Sequence, residues 1–193
     1  VCVPPPANDA CTGAITVTPG VNAMADTSQA SNESPTPPTC NGFSTFNLGV
    51  WYTFIAPNNH AFTASTCNAG TNFNTRVYVY TGSCAALACV NANATASPAC
   101  GVRSDAATVT FCAQTGQPYF FLVTNDTTGT GVLEFSLTDT GVDCANDVCA
   151  GALPVAVGSV TTGSTAAASN ETPVPPTCNG FSTFNQGVWF KFT

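Results

Sequence analysis

Charged residues are scarce in this sequence. Only 7% of its 193 residues are Asp, Glu, Lys or Arg, whereas an average soluble domain has about a quarter. Three basic residues, Arg76, Arg103 and Lys191, are set against ten acidic ones, which leaves a formal net charge of −7. Because a chain without a cationic surface cannot neutralise phosphates, we expect no nucleic-acid partner.

Long apolar runs and metal-binding motifs are also missing. No apolar run approaches the roughly 20 residues of a membrane-spanning helix, so we expect no membrane span. His60 is the only histidine, and no two of the eleven cysteines are spaced as Cys-x-x-Cys, which argues against zinc. Such cysteines indicate disulfides and a secreted or cell-surface protein. The cysteines expected in disulfides are Cys2, Cys11, Cys40, Cys67, Cys84, Cys89, Cys100, Cys112, Cys144, Cys149 and Cys178.

Thr, Ser, Asn and Gly fill the polar positions that charged residues leave open. Extracellular chains rich in hydroxyl groups are commonly kept in solution by covalent glycans. Four triplets fit the acceptor pattern for N-glycosylation, with no proline in the middle position. The candidate glycan attachment sites are Asn32, Asn93, Asn125 and Asn170.

The sequence contains a duplication with a constant offset. The Ala-Asn-Asp run at residues 7–9 returns at 145–147, which is 138 positions later. At the same offset of 138, residues 37–47 recur without a change as residues 175–185. Self-similarity at a fixed period indicates repeated structural units.

The duplication divides the chain into two predicted units. A complete unit is expected over residues 1–141, with a proline-rich linker at 1–6. Residues 142–193 are expected to form the N-terminal part of a second copy, either truncated or completed by a neighbouring chain. Because this copy stops inside an expected strand, we interpret the sequence as a window onto a longer polypeptide.

The eight cysteines of the first unit are enough for four bridges. Sequence alone does not determine their pairing, so other pairings stay open. The favoured set is Cys11–Cys40, copied as Cys149–Cys178, with Cys67–Cys84, Cys89–Cys100 and, by subtraction, Cys2–Cys112. The odd cysteine is then expected to have its partner beyond the sequence or in another chain.

Short alternating runs of β-branched and aromatic residues recur along the chain, separated by Gly, Pro, Asn and Thr clusters. The sequence therefore predicts an all-β fold, an antiparallel β-sandwich or jelly roll that is tandemly repeated and disulfide-stapled. The expected strands are 14–17, 50–55, 61–64, 76–80, 107–111, 119–123 and 132–137. The expected core residues are Trp51, Phe54, Val77, Val79, Phe111, Phe121, Val123, Leu133 and Phe135.

Three segments carry a family resemblance. Residues 65–84, 116–123 and 131–135 resemble the pre-peptidase C-terminal type of secreted β-sandwich domain. The opening at residues 5–11 is similar to cysteine-bearing versions repeated in large extracellular proteins. The resemblance implies a non-catalytic domain for adhesion, secretion or glycan contact, and in some members calcium in Asp-rich loops. Residues 90–93, read here as a loop, have Asn and Ala in place of acidic residues, which argues against calcium there.

Two polar positions could suggest chemistry but are better explained by structure. His60 is placed in a turn without a Gly-x-Ser-x-Gly motif, so we interpret it as a solvated turn residue. Asp9 opens the unit, where it could hold a turn or ligate calcium, and the turn is favoured. Scattered carboxylates without a flanking pattern are expected to be solvated: Asp105, Asp126, Glu134 and Asp139.

Two phenylalanines stand out in the polar repeated segment, Phe43 and Phe46, with copies at Phe181 and Phe184. Their recurrence predicts packing against a neighbouring unit. An ordinary place in the core and an aromatic platform for sugars are the alternatives.

Taken together, these features predict a structural protein and no enzyme. We expect a subunit of an extracellular glycosylated filament, stalk or surface layer, with copies of itself as partners. The alternative is a glycan- or surface-binding adhesion module of a larger secreted protein. No cofactor is expected beyond covalent glycans, and calcium stays an open alternative.

Overall fold

The protein is represented by a computed structural model, which describes residues 3–95, 100, 105–126, 129–144, 146–163, 165, 168, 175–180 and 187–192. Eleven strands and two short 3-10 helices occur in these residues. The helices are Cys11–Gly13 and Cys149–Gly151. The strands are β1 (Ile15–Thr16), β2 (Ala23–Asp26), β3 (Val50–Ile55), β4 (His60–Ser65), β5 (Thr75–Ser83), β6 (Ala86–Asn93), β7 (Thr108–Cys112), β8 (Pro118–Asn125), β9 (Val132–Asp143), β10 (Leu153–Val155) and β11 (Phe190–Phe192).

The strands form two larger sheets and a small one. The five-stranded sheet has the order β1-β3-β8-β5-β6, and the four-stranded sheet has the order β2-β9-β4-β7. Pairing in both is antiparallel except for β1 with β3. The strands β10 and β11 form a separate parallel pair. The all-β, antiparallel sandwich predicted from the sequence is therefore confirmed. Within the described residues, no helix is both long and apolar enough for a membrane span.

The main core lies between the two larger sheets. Tyr52 stacks on Phe135 with ring centroids 4.6 Å apart, and Phe121 lies 5.4 Å from the same ring. The predicted core is confirmed, because all nine of its members are no more than 4% exposed. One of them, Trp51, belongs to a different cluster, on the outer face of the five-stranded sheet.

This outer cluster explains why the five-stranded sheet is buried on both faces. Residues 27–49, here called the outer cover, lie against the outside of this sheet. The Tyr78 and Tyr80 hydroxyls donate hydrogen bonds to the carbonyls of Thr45 (2.6 Å) and Pro38 (3.0 Å). The buried residues of the cluster are Cys40, Phe46, Trp51, Tyr78, Tyr80, Ala92 and Leu122. Because both faces are covered, β3 shows a run of buried residues in place of strict alternation.

Two strands of the first unit, β2 and β6, are not predicted by the sequence analysis. The interpretation of residues 90–93 as a loop is wrong, because they belong to β6. Ala and Asn have low strand propensity, so they carry no strand signal. The Asn side chains have another role: Asn91 and Asn93 donate to the carbonyls of Thr110 and Thr108 at 3.0 Å each. These amides join the edges of the two sheets.

The predicted disulfide pairing is wrong. The described bonds are Cys11–Cys84, Cys40–Cys89, Cys67–Cys100 and Cys112–Cys144. Three of the four bonds predicted for the first unit joined successive cysteines, whereas folding brings both the N-terminal 3-10 helix and the outer cover onto the β5–β6 hairpin. Since Cys112 bonds to Cys144, it is not the partner of Cys2, which lies outside the described residues. The predicted Cys149–Cys178 bond is absent, and both thiols are free and exposed.

Candidate functional site

A cleft of about 190 Å³ lies between the N-terminal 3-10 helix and the outer cover. The Cys11–Cys84 disulfide lies in one wall, and polar residues of the cover form the other. The lining residues are Asp9, Ala10, Cys11, Thr12, Ser31, Asn32, Glu33, Ser34, Pro35, Pro37, Trp51, Cys84 and Leu87. Mixed polar and apolar lining of this kind suits a small polar ligand.

The Asn-Asp pair that opens the unit fixes one wall of the cleft. Asn8 is 2% exposed. Its side-chain amide donates to the backbone carbonyl of Trp51 at 2.9 Å, and its backbone carbonyl accepts from the backbone N–H of Trp51 at 2.8 Å. Both carboxylate oxygens of Asp9 accept hydrogen bonds from Ser31, at 2.7 Å from the backbone and 2.6 Å from the hydroxyl. Asp9 therefore joins the opening of the unit to Ser31, 22 positions further along the chain, whereas the sequence favoured a local turn. Among the described residues, no group of three or more potential ligands could hold a metal ion.

Glu33 is the group with the most unusual electrostatics in the cleft. Its Oε2 accepts a hydrogen bond of 2.7 Å from the indole N–H of Trp51, whereas its buried Oε1 has no hydrogen-bond partner. Burial raises the pKa of Glu33 to about 7, even though the Trp51 bond opposes the shift, and the nearby Asp9 charge adds to it. Sequence analysis missed Glu33. Its recurrence as Glu171, together with that of Trp51 as Trp189, was the available signal.

Close approach of the backbone at Gly49 encloses the Glu33 carboxyl. A Cβ atom at Gly49 would lie 2.7 Å from Glu33 Oε1 and 2.5 Å from Leu122 Cδ1. Since real Cβ atoms do not approach other atoms so closely, only glycine fits here without movement. The cover can thus lie directly on the sheet at this point.

His60 forms a side-chain contact with Asp139 that the sequence does not predict. It begins β4, not the turn before it, and its Nδ1 lies 3.0 Å from Asp139 Oδ1. Slight burial opposes the charged form of Asp139, but hydrogen bonds from Gly141, Asn58 and His60 hold its pKa below the ordinary value. Asp139 is therefore bonded, whereas a solvated carboxylate was expected.

The candidate glycan sites differ in accessibility. Asn32 is exposed at the cleft, so a glycan fits there. Asn125 is only 3% exposed, and the amide of Asn93 donates to two carbonyls, those of Thr95 and Thr108. We therefore expect no glycan at Asn125, because its side chain is buried in the folded chain. Asn170 lies outside the described residues.

The two repeated phenylalanines pack within their own unit. Phe46 is 6% exposed and its ring centroid lies 5.0 Å from that of Tyr78. Phe43 is half-buried, with the guanidinium of Arg76 4.3 Å from its ring centroid. The prediction of an inter-unit contact is wrong for Phe46, because its ring fills the outer cluster. The copies Phe181 and Phe184 lie outside the described residues.

Comparisons with known proteins cover part of the chain. A family model described as galactose binding domain-like, and named as T9SS-associated, matches residues 7–99. No curated protein matches. Among solved structures, the chain is similar to the pre-peptidase C-terminal domain of collagenase from Bacillus anthracis, with 13% identity and a TM-score of 0.40 over 65% of this chain and 94% of that one. A likeness this weak says nothing about function. The four disulfides indicate an extracellular protein, and its fold is a β-sandwich.

Proposed function

We propose that the chain is a non-catalytic structural module of an extracellular filament, stalk or surface layer built from tandem β-sandwich units. The observation that carries this proposal is the Cys112–Cys144 disulfide. Cys112 ends β7 of the first unit, and Cys144 lies just before the Asn-Asp motif that opens the second copy. A covalent bond at this junction restrains the second copy against the first.

Other contacts reinforce the junction. The backbone N–H of Cys144 donates to the Asn59 carbonyl at 2.7 Å, and Asp147 N–H donates to the Cys144 carbonyl at 3.0 Å. Cys144 is 9% exposed and packs with Ala61 and Cys112. A linker that is bonded, hydrogen-bonded and buried resists bending, and this is what an extended array of units requires.

A pair of double variants separates the junction bond from an ordinary stabilising bond. Cys112–Cys144 and Cys67–Cys100 span 32 and 33 residues, so removing either pair by serine should cost about the same stability, about 4 kcal/mol by loop entropy. Only C112S/C144S should make residues 143–148 susceptible to limited proteolysis and abolish straight particles with a regular axial repeat in electron micrographs. If both double variants, or neither of them, lost the straight particles, the Cys112–Cys144 bond would not be what keeps the array of units straight.

A second candidate function, glycan binding, is favoured by the family description and by the cleft, which lies within the matched residues 7–99. The Thr12→Phe substitution would fill the cleft from an exposed position, and Thr18→Phe, also exposed, is the matched control. Titration with lactose and a galactoside array should show binding that T12F removes and T18F keeps. Absence of binding by the unmodified chain would exclude this candidate and leave the structural proposal intact.

A further inference from the structure

The described part of the second copy repeats the start of the first. In β10 and β11, Leu153 pairs with Phe190, as Ile15 pairs with Tyr52 in β1 and β3, each residue being shifted by 138. The Trp189 N–H donates to the carbonyl of Asn146 at 2.8 Å. The corresponding bond of the first copy, from Trp51 to Asn8, has the same length of 2.8 Å.

The first copy covers this start, whereas the second leaves it open. Along its whole length β3 pairs with β8, and its Tyr52 and Phe54 are 0% and 4% exposed. Their counterparts Phe190 and Phe192 are 41% and 70% exposed. Within the described residues, only β10 pairs with β11. Unpaired backbone next to exposed aromatic rings is a template for another strand.

The free thiols specify what should cover this surface. Cys149 and Cys178 are the counterparts of Cys11 and Cys40 at the offset of 138. In the first copy those two cysteines bond to Cys84 and Cys89, which lie five positions apart on the β5–β6 hairpin. We propose that the surface formed by β10, β11, Cys149 and Cys178 accepts a segment of the same repeat type. This segment supplies an antiparallel strand equivalent to β8 and a hairpin with two free cysteines five positions apart.

The acceptor surface closes by forming two disulfide bonds, each through two successive thiol–disulfide exchanges. Each of Cys149 and Cys178 joins one hairpin thiol, and an extracellular disulfide oxidant such as oxidised glutathione is reduced to two thiols for every bond formed. The inference rests on the tandem-unit part of the proposed function. It does not require that the units form a filament or bind glycan.

The test extends the full chain by its own repeat. A copy of residues 56–138 is appended after residue 193. Serine at the copies of Ala85 and Ala88 serves as a mass label for the peptides that contain the copies of Cys84 and Cys89. After refolding in a glutathione buffer, non-reducing peptide mapping should show Cys149 bonded to the copy of Cys84 and Cys178 to the copy of Cys89. The four bonds of the first unit in the same molecule report that the chain has folded.

One control variant completes the test. With serine in place of the appended copies of Cys84 and Cys89, the Cys149 and Cys178 thiols should react with maleimide, while the amides of 190–192 become protected from hydrogen exchange by strand pairing. A bond between Cys149 and Cys178, unchanged maleimide reactivity in the extended chain, or disulfide-linked dimers of the original chain would each overturn the proposal. Because none of these measurements depends on filaments, their outcome is separate from that of the junction experiment.

Discussion

Glu33 should make the fold less stable at pH 7.5 than at pH 5. Burial raises its folded-state pKa to about 7, whereas an unfolded glutamate titrates near its ordinary value of about 4.3. The folded state therefore holds the proton more tightly than the unfolded state. The stabilisation is fully present below the unfolded pKa, and it is lost as the pH rises through the folded pKa.

The size of the effect follows from the shift. A rise from the ordinary value of 4.5 to about 7 corresponds to about 3.5 kcal/mol at about 1.4 kcal/mol per pKa unit. Because the carboxyl is only partly buried, solvent screening reduces this to about 1 to 2 kcal/mol. For a chain of this size the reduced figure equals a change of about 4 °C in Tm.

The assay compares thermal unfolding of two glutamine variants between pH 4.5 and 7.5. Glu33→Gln is always neutral and keeps an acceptor for the Trp51 indole, so the excess of its Tm over that of the parent should be largest at pH 7.5 and should shrink steadily towards pH 4.5. Glu134→Gln is the matched control. Hydrogen bonds from Asn22 and Gly70 lower the pKa of Glu134, so the pH dependence that it gives to the stability of the fold lies below this pH range. Parallel curves for Glu33→Gln and the parent across the whole range would refute the reasoning.

Three further results are expected. Phe46→Ala should lower the free energy of unfolding by about 3 kcal/mol in urea titrations, because it empties the outer cluster. Phe43→Ala, at a half-buried site, should have a smaller effect; equal losses would contradict the packing. Gly49→Ala should cost about 2 kcal/mol in the same titrations through the clash with Leu122 Cδ1, and an unchanged midpoint would refute it. In a glycosylating host, glycopeptide mass spectrometry should find a glycan at Asn32, whereas full occupancy at Asn125 would contradict its burial.

Sequence patterns predicted the strands with strong side-chain signals and missed those with weak ones. The Val-Trp-Tyr-Thr-Phe-Ile run is β3 to the residue, because aromatic and β-branched side chains favour a pleated, buried surface. In contrast, β6 is built largely from Ala and Asn, and its hydrogen bonds to β5 and its Asn amides hold it in place. Such stabilisation arises only when the partner strands are present, so a local pattern cannot reveal it.

The disulfide pairing and the cleft could not be predicted from local sequence patterns either, because both depend on residues that are distant in sequence. Cys11 finds Cys84 across 73 residues, and that pairing depends on where the β5–β6 hairpin lies in the folded sheet. The pKa of Glu33 likewise depends on its burial, on the hydrogen bond from Trp51 and on the charge of Asp9, which lie 18 and 24 positions away in sequence. The repeat showed that Glu33 and Trp51 recur together, but only the structure shows that their side chains are in contact.

The unchanged recurrence of residues 37–47 has a physical explanation in the outer cover. This segment contributes Cys40 and Phe46 to a cluster against Tyr78 and Tyr80, on a sheet face that would otherwise be open to water. A change in the segment would have to be matched by changes in β5 and in the hairpin cysteine to which Cys40 bonds. If the second copy keeps the segment intact, the strands that complete it must present matching tyrosines and a cysteine at the position of Cys89. This requirement is the reason why the segment that covers β10, β11, Cys149 and Cys178 is expected to be of the same repeat type and not an unrelated strand.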